Sequence, residues 1–371
     1  MYMLFSAGFT LLVLGLLPYL IFLAGILAGK QPDAAPAPAS YPPISIVIPA
    51  YNEEAVIGER IRNIARMAYP GGCEVILVDD RSTDRTGEVA RACFSEQGIP
   101  HTVLLNEERM GTNRSFNRGI SRAAHETIVT TGADVYFAPG ALELVVARIL
   151  SDPAIGAVCA DMLPREGGPT TGSIERTYRS VYGRMCAWES AHDSTYNFNG
   201  GLVVFRRGVV EKIRERKGAD DANTAFEAIR KGYRAFYEIR AVVYEDVPDA
   251  LSRQSGQKIR RAGRLIEATL ANLDLLRAPR PFSRIFYPLR IAMFILSPPL
   301  FWTGLVLALA GTALVAPVPA VFAVLALGVL LTLKPDSLIS AFLLNQWYLL
   351  NGLVHLGRDM RVWESTSRKS A

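Results

Sequence analysis

Three acidic clusters follow one another along the middle of the chain: Asp79-Asp80 after an apolar run, Asp134 after a second, and Asp220-Asp221 at the start of a helical pattern. Carboxylates so placed can accept an N–H, share a cation or take up a proton. Two adjacent carboxylates at the end of an apolar strand repel each other unless something there uses them. The N–H edge of a uracil or guanine ring is one donor that such a group accepts. Asp84 has a simpler reading, as the cap of a helix that begins after Ser82-Thr83. No glycine-rich phosphate loop of the GxGxxG or Walker kind follows these strands. A diphosphate bound here must therefore be neutralised by a metal or by basic side chains.

The elements that must position these groups show in the hydrophobic periodicity. A β-branched run from Ile44 to Pro49 ends in Ala50-Tyr51-Asn52-Glu53-Glu54, and apolar residues then recur at helical spacing through Met67. The strand-then-helix unit repeats: Glu74 to Asp80 with a helix from Asp84, His101 to Leu105 with a helix near Asn113, and Thr127 to Thr131 with a helix from Pro139. Such alternation predicts an α/β fold, Rossmann-like, with a mainly parallel sheet and helices on both faces. Ligands of these sheets bind beyond the carboxyl ends of the strands. Asn52, Glu53, Asp79, Asp80 and Asp134 all fall there.

Taken together, Ile46-Val-Ile-Pro-Ala-Tyr-Asn-Glu-Glu54, Val78-Asp-Asp-Arg-Ser-Thr-Asp84, Gly111 through Asn117-Arg-Gly119, Gly132-Ala-Asp134, Asn199-Gly-Gly201 with Phe205-Arg-Arg207, and Asp220-Asp221 eleven residues before Gly232 resemble the family 2 glycosyltransferases of the GT-A fold. The likeness runs from about Ile44 to Arg264. It implies an inverting enzyme that uses a nucleotide-diphosphate sugar, UDP or GDP. Ala50, Tyr51, Glu53 and Asp79 would then line the nucleotide, with Asp80 accepting from the base. Asp134 is similar to the second acid of the family's DxD motif, which implies a ligand for Mg²⁺ or Mn²⁺. Asp221 stands in the place of the base that deprotonates the acceptor, and Asp220 beside it would raise its pKa by like-charge repulsion.

Two positions depart from the family pattern. Gly132 stands where the first DxD aspartate is usual, which removes one potential metal ligand. Gln257-Lys-Ile-Arg260 is followed by Arg261, where processive polymer synthases have tryptophan. An arginine there suits a phosphate, so Gln257, Arg260 and Arg261 are assigned to the diphosphate or to an acceptor phosphate. Arg206 and Arg207 read as a basic helix start after a strand.

The 371 residues carry a net charge of +5, with 50% hydrophobic and 20% charged residues. The apolar excess lies at the two ends. No basic stripe interleaved with aromatics is present, so nucleic acid is not the expected partner; anionic lipid is. Cys73, Cys93, Cys159 and Cys186 and the four histidines are scattered, which argues against a zinc site or a disulfide framework. Leu4 to Ala28 is uncharged and long enough to cross a bilayer, with Lys30 after it. It lacks the basic start of a cleaved signal peptide.

The expected layout is a transmembrane helix over 1–30, a Pro/Ala linker over 31–43 and a catalytic domain over 44–252. Basic and interfacial helices follow over 253–296, with Phe282 to Leu296 lying in the interface. A transmembrane hairpin plus an interfacial or re-entrant helix covers 297–357, and a basic cytoplasmic tail covers 358–371. Arg277, Arg280 and Arg284 place the catalytic domain of this multi-pass membrane protein on the cytoplasmic side. An acceptor at the membrane is then lipid or lipid-linked, a polyprenyl phosphate or a lipid-linked glycan. Two rivals stand beside this reading: a processive polysaccharide synthase of the same family, and a non-catalytic membrane scaffold that keeps the nucleotide-binding fold.

Overall fold

The computed structural model describes residues 2–29, 32–165, 169–215, 218–247 and 251–357. Lys30 and the basic tail over 358–371 lie outside the described residues.

The central sheet has eight strands: β1 (Ile44–Ala50), β2 (Cys73–Asp79), β3 (His101–Leu105), β4 (Thr127–Thr130), β5 (Val135–Phe137), β6 (Ile155–Pro164), β7 (Val203–Arg206) and β8 (Arg234–Glu245). Their order is β3-β2-β1-β4-β7-β6-β8-β5. The four strands β3, β2, β1 and β4 are mutually parallel. The expected parallel sheet stops there. β7 runs antiparallel to β4 and β6, and β5 runs antiparallel to β8. β6 and β8 pair in parallel. The mixed half arises because β7 enters from the opposite end of the sheet, after the long helix α6 (Pro169–His192).

Helices cover both faces. Ile46, Ile48, Val75, Leu77 and Val129 pack under α2 (Glu54–Met67), α3 (Thr86–Gln97) and α5 (Ala141–Ser151). The alternate residues Val47, Ile76, Val78 and Ile128 face α4 (Thr112–Arg122), α6 and α7 (Asp220–Arg230). All seven residues of β1 are buried, which explains an unbroken apolar run in place of a polar alternation. Each fully buried Ile, Val or Leu contributes about 1.5–3 kcal/mol, so the edge that carries the acids rests on a stiff base.

Among the described residues, two helices are long and apolar enough to cross a membrane: α1 (Tyr2–Ala28) and a 34-residue stretch, Phe282–Val315. The second joins Phe282 to Leu296, expected to lie in the interface, to the apolar segment that follows it. That segment runs on without a break into α10 (Ser297–Val315), through α9 (Tyr287–Ile291) and two wide π turns, Phe282–Phe286 and Ala292–Leu296. A proline ring clashes with the carbonyl four residues before it. The carbonyls that Pro288, Pro298 and Pro299 would strike belong to Arg284, Phe294 and Ile295, all inside the π turns. The wide turns absorb the prolines and keep the rod continuous.

The first half of this rod buries one face against protein, with Phe282, Phe286, Tyr287, Arg290 and Phe294 inward. Arg290 and Glu189 of α6, each 1% exposed, pair at 2.7 Å. α1 lies along α10 at close range, since a Cβ on Gly304 would stand 2.8 Å from the Gly8 carbonyl oxygen. Small residues of this kind let two apolar helices approach backbone to backbone. α11 (Pro317–Leu333) and α12 (Leu338–Val354) meet at 98°. α12 returns to pack on α8 (Leu251–Ala271), the basic helix that follows β8.

Candidate active site

Ala50 and Asp79 are register partners at the ends of β1 and β2, so the loops that follow leave the sheet side by side. They are braced to each other. Asn52, in the left-handed region at φ 53°, accepts from the Thr83 N–H at 2.8 Å and donates its own N–H to Ser82 Oγ at 3.0 Å. The Glu53 N–H donates to Thr86 Oγ1 at 2.8 Å. Asp84 accepts from both the Thr86 N–H and the Glu54 N–H, so it ties the α3 start to the α2 start as well as capping.

The Asp79-Asp80 pair sits inside this frame. Asp79 Oδ1 accepts from the Ser82 N–H at 2.8 Å. Asp80 is fully buried, and its Oδ1 accepts from Asn106 Nδ2 and the Met110 N–H, both at 2.7 Å, while Oδ2 accepts from the Gly111 N–H at 2.9 Å. Three donors thus satisfy one carboxylate. In the loop it fixes, Arg109 lays its guanidinium 3.5 Å from the centre of the Tyr51 ring. Ala50, Tyr51, Glu53, Asp79 and Asp80 are therefore brought together at one end of the sheet, with the two aspartates turned toward local N–H groups.

Beside this edge opens a cavity of about 290 Å³. Asp134, Asp220, Asp221, Arg260 and Arg261 line it; Gln257 does not. Asp134 is held by a clamp from α2 on both flanks of its turn. Arg60 Nη2 donates to Thr131 Oγ1 at 3.1 Å, and the Asn63 amide exchanges two hydrogen bonds with the Phe137 backbone. A Cβ at position 132 would stand 2.8 Å from Asp134 Oδ1. Gly132 therefore both removes a carboxylate and leaves room for the remaining one. Among the described residues no group of three or more His, Cys, Asp or Glu side chains converges on a cation. One carboxylate plus the oxygens of a diphosphate is a donor set that suits Mg²⁺ or Mn²⁺. The residues fit a metal that arrives with its substrate. Asp79, turned to the Ser82 loop and absent from the cavity wall, is not placed to assist.

Asp220 and Asp221 open α7. Burial first, and then the like charge of Asp220, push the Asp221 carboxyl up to about 7, against the opposing pull of the Ala222 N–H, Arg264 and Arg261. The Asn199-Gly-Gly201 loop is the facing wall. Asn199 Nδ2 donates to the Ala160 carbonyl at 2.8 Å and its Oδ1 accepts from the Gly201 N–H at 3.0 Å. This holds Gly200 against Asp221, where a Cβ would lie 3.4 Å from Oδ2.

The far wall escapes sequence reasoning. Tyr178, Arg179 and Tyr182 come from α6, Glu245 from the end of β8, Lys258 from α8, and Asn345 and Tyr348 from α12. Burial pushes the Glu175 carboxyl up, but Lys258 at 2.5 Å and Arg179 at 2.8 Å outweigh it and hold it at about 2. Arg261 is paired with Glu245. The i,i+4 spacing of Glu175 with Arg179, and of Tyr178 with Tyr182, is the local signal available. Arg206 and Arg207 do not start a helix. Arg206 closes β7 and donates to the carbonyls of Ile155 and Ile149, and Arg207 donates to the Ala123 carbonyl. Their guanidinium groups close off two helix ends and one strand start.

Comparison with known proteins agrees with this geometry. The family model described as Glycosyl transferase family 2 matches residues 45–214. An N-acetylglucosaminyltransferase of Rhizobium meliloti (strain 1021) is 23% identical over 269 residues, covering 69% of this chain and 62% of its own length. A poly-beta-1,6-N-acetyl-D-glucosamine synthase of Staphylococcus aureus (strain COL) is 23% identical over 268 residues, covering 71% and 63%. The chain thus spans less than two thirds of the length of these relatives. Among solved structures, the mannosyltransferase PcManGT from Pyrobaculum calidifontis, in complex with GDP-Man and Mn²⁺, is 29% identical with a TM-score of 0.80 over 95% of this chain and 98% of that one. Over residues 45–214 the chain therefore carries a family 2 glycosyltransferase domain, on a GT-A-like sheet.

Proposed function

We propose that the protein is a membrane-bound inverting glycosyltransferase. It moves a sugar from a nucleotide-diphosphate donor, UDP- or GDP-linked, to a lipid or lipid-linked acceptor. The observation that carries this reading is the cavity in which Asp134, the Asp220-Asp221 pair and the α8 arginines share walls with α12, a helix returning from the apolar segments. The family 2 domain match favours an enzyme over a non-catalytic scaffold.

Asp221 takes the proton of the acceptor, whose oxygen forms a bond to the anomeric carbon. The bond from that carbon to the diphosphate oxygen breaks, and its electron pair leaves on the nucleoside diphosphate. No enzyme-bound sugar is needed, so configuration inverts. Arg260, on the cavity wall, presents positive charge where the leaving group develops its negative charge. A divalent cation held by Asp134 would supply further neutralisation of the diphosphate. Asp80 acts one step back, by holding the loop that carries Arg109 against Tyr51.

The apolar helices α1 and Phe282–Val315 support a multi-pass membrane location, with α11 and α12 as a re-entrant pair and the catalytic domain on the cytoplasmic side. Of the basic residues behind that orientation, Arg277 and Arg284 are exposed, whereas Arg280 is bound to Asp193. A processive synthase finds support in the synthase relatives. Against it, the aromatic position after Arg260 holds Arg261, tied to Glu245. Incubation of the purified protein with a panel of UDP- and GDP-sugars, Mn²⁺ and membrane lipid tests the proposal. Donor turnover giving single-sugar products is expected. Long polymers would favour the synthase, and full transfer by Asp221→Asn would overturn the assignment of the base.

A further inference from the structure

We propose that the acceptor atom is a sugar hydroxyl of a glycolipid, and that Tyr178, Tyr182, Asn345 and Tyr348 form the subsite that holds this sugar. The inference rests on the glycosyltransferase reading and narrows its acceptor side.

The first ground is the Asp220-Asp221 pair. A phosphate monoester is already anionic near pH 7, with a second pKa of about 6. It has no need of a base, and its oxygen would have to approach two carboxylates of its own sign. A hydroxyl is the reverse case. Its O–H donates to the carboxylate, and it becomes an adequate nucleophile as that proton leaves.

The second ground is the state of the cations on the same wall. Lys258 and Arg179 share Glu175 at 2.5 and 2.8 Å, and Arg261 is paired with Glu245. Arg264 is engaged by the Asn113 side chain and the Gly218 carbonyl, at 3.0 and 3.1 Å. A phosphate would need to strip these partners away, at a cost that its own charge must offset. A sugar asks for no such exchange, because paired ions offer both donors and acceptors to its hydroxyls.

The third ground is shape. Tyr178 and Tyr182 stand with ring centres 5.8 Å apart, and Tyr348 reaches the same cavity from α12. Aromatic rings give flat apolar surface, and a few placed polar groups fix orientation. Asn345 adds an amide, with two N–H donors and a carbonyl acceptor. Because Asn345 and Tyr348 ride on α12, beside the apolar helices, the sugar they hold is one tethered to a lipid.

In the step itself the acceptor hydroxyl loses its proton to an Asp221 oxygen. The freed oxygen bonds to the anomeric carbon of the donor, and the carbon–oxygen bond to the nucleoside diphosphate breaks with the pair on the leaving group.

The test uses the full-length protein in phosphatidylglycerol vesicles that carry equal amounts of polyprenyl phosphate and a monoglycosyl diacylglycerol, with the radiolabelled nucleotide sugar that it hydrolyses. Label in an acid-stable glycoside on the glycolipid, falling about a thousandfold in Asp221→Asn, is expected. Tyr348→Ala should raise the acceptor KM about tenfold while the donor KM stays within about twofold. Label in an acid-labile polyprenyl phosphosugar overturns the inference, as does label released only as free sugar, and both leave the donor reading standing. Absence of any donor cleavage overturns both readings.

Discussion

The Asp79-Asp80 pair closes a strand and the Asp220-Asp221 pair opens a helix, and the surroundings of each decide what the same dipeptide does. At Asp80 three N–H groups converge on one buried carboxylate, and at Asp79 a fourth N–H caps the neighbouring turn. The charges there are consumed in fixing loops. Asp221 accepts from the Ala222 N–H at 2.7 Å and otherwise faces burial and its neighbour's charge. Its place at a helix start favours the ionised form, but a dipole contribution of about 0.3–1 kcal/mol is worth less than one pKa unit. Burial and like charge win. One pair fixes loops, and the other holds a carboxyl raised toward neutral pH, as the proposed base requires.

Substitutions can break this contrast, beginning with the largest effect. Asp221→Asn should lower kcat by about 10³ with donor binding retained, measured by transfer kinetics alongside calorimetry with the nucleotide. On the other pair the damage should fall on stability. Asp80→Ala takes the acceptor from the buried Asn106 amide and from the half-buried Met110 and Gly111 N–H groups, which costs about 1–3 kcal/mol, and it should lower the melting temperature by several degrees where Asp220→Ala does not. Gly132→Ala tests the link between them. Its Cβ must displace the Asp134 carboxylate, so kcat/KM should fall about tenfold and the Mn²⁺ needed for half-maximal rate should rise.

The smallest effect is also the most diagnostic of sign. The folded pKa of Asp221 is raised, so its contribution to stability is full below about pH 4 and lost as the pH rises through about 7. Asp221→Asn escapes that loss. It should melt a few degrees above the parent at pH 8, with the gap closing toward pH 4.

Much of the proposed donor side is legible in sequence, because β1, β2 and β4 each end an apolar run at Ala50, at Asp79 and at Thr130 with the Asp134 turn after it. The chemical difference between the two aspartate pairs is not, since the N–H groups that consume Asp80 come from the 106–111 loop and are identified by geometry alone. The acceptor wall is hidden for a related reason. Tyr178, Lys258 and Tyr348 lie far apart along the chain and meet only where α6, α8 and α12 pack together. Phe282 to Leu296 reads as interfacial, yet its Arg290 is neutralised inside the protein by Glu189. Antiparallel β7 is likewise invisible to periodicity, which carries no strand direction.

The most direct measurement of the central claim is the pH profile of kcat/KM for the parent and for Asp220→Asn, with saturating Mn²⁺. The parent should lose activity on the acid side with an apparent pKa near 7, and removing the neighbouring charge should move that limb to lower pH without restoring the ordinary carboxylate value, because burial remains. A parent profile flat down to pH 5, or a limb that Asp220→Asn leaves in place, would contradict the assignment of the Asp220-Asp221 pair as the proton-accepting centre.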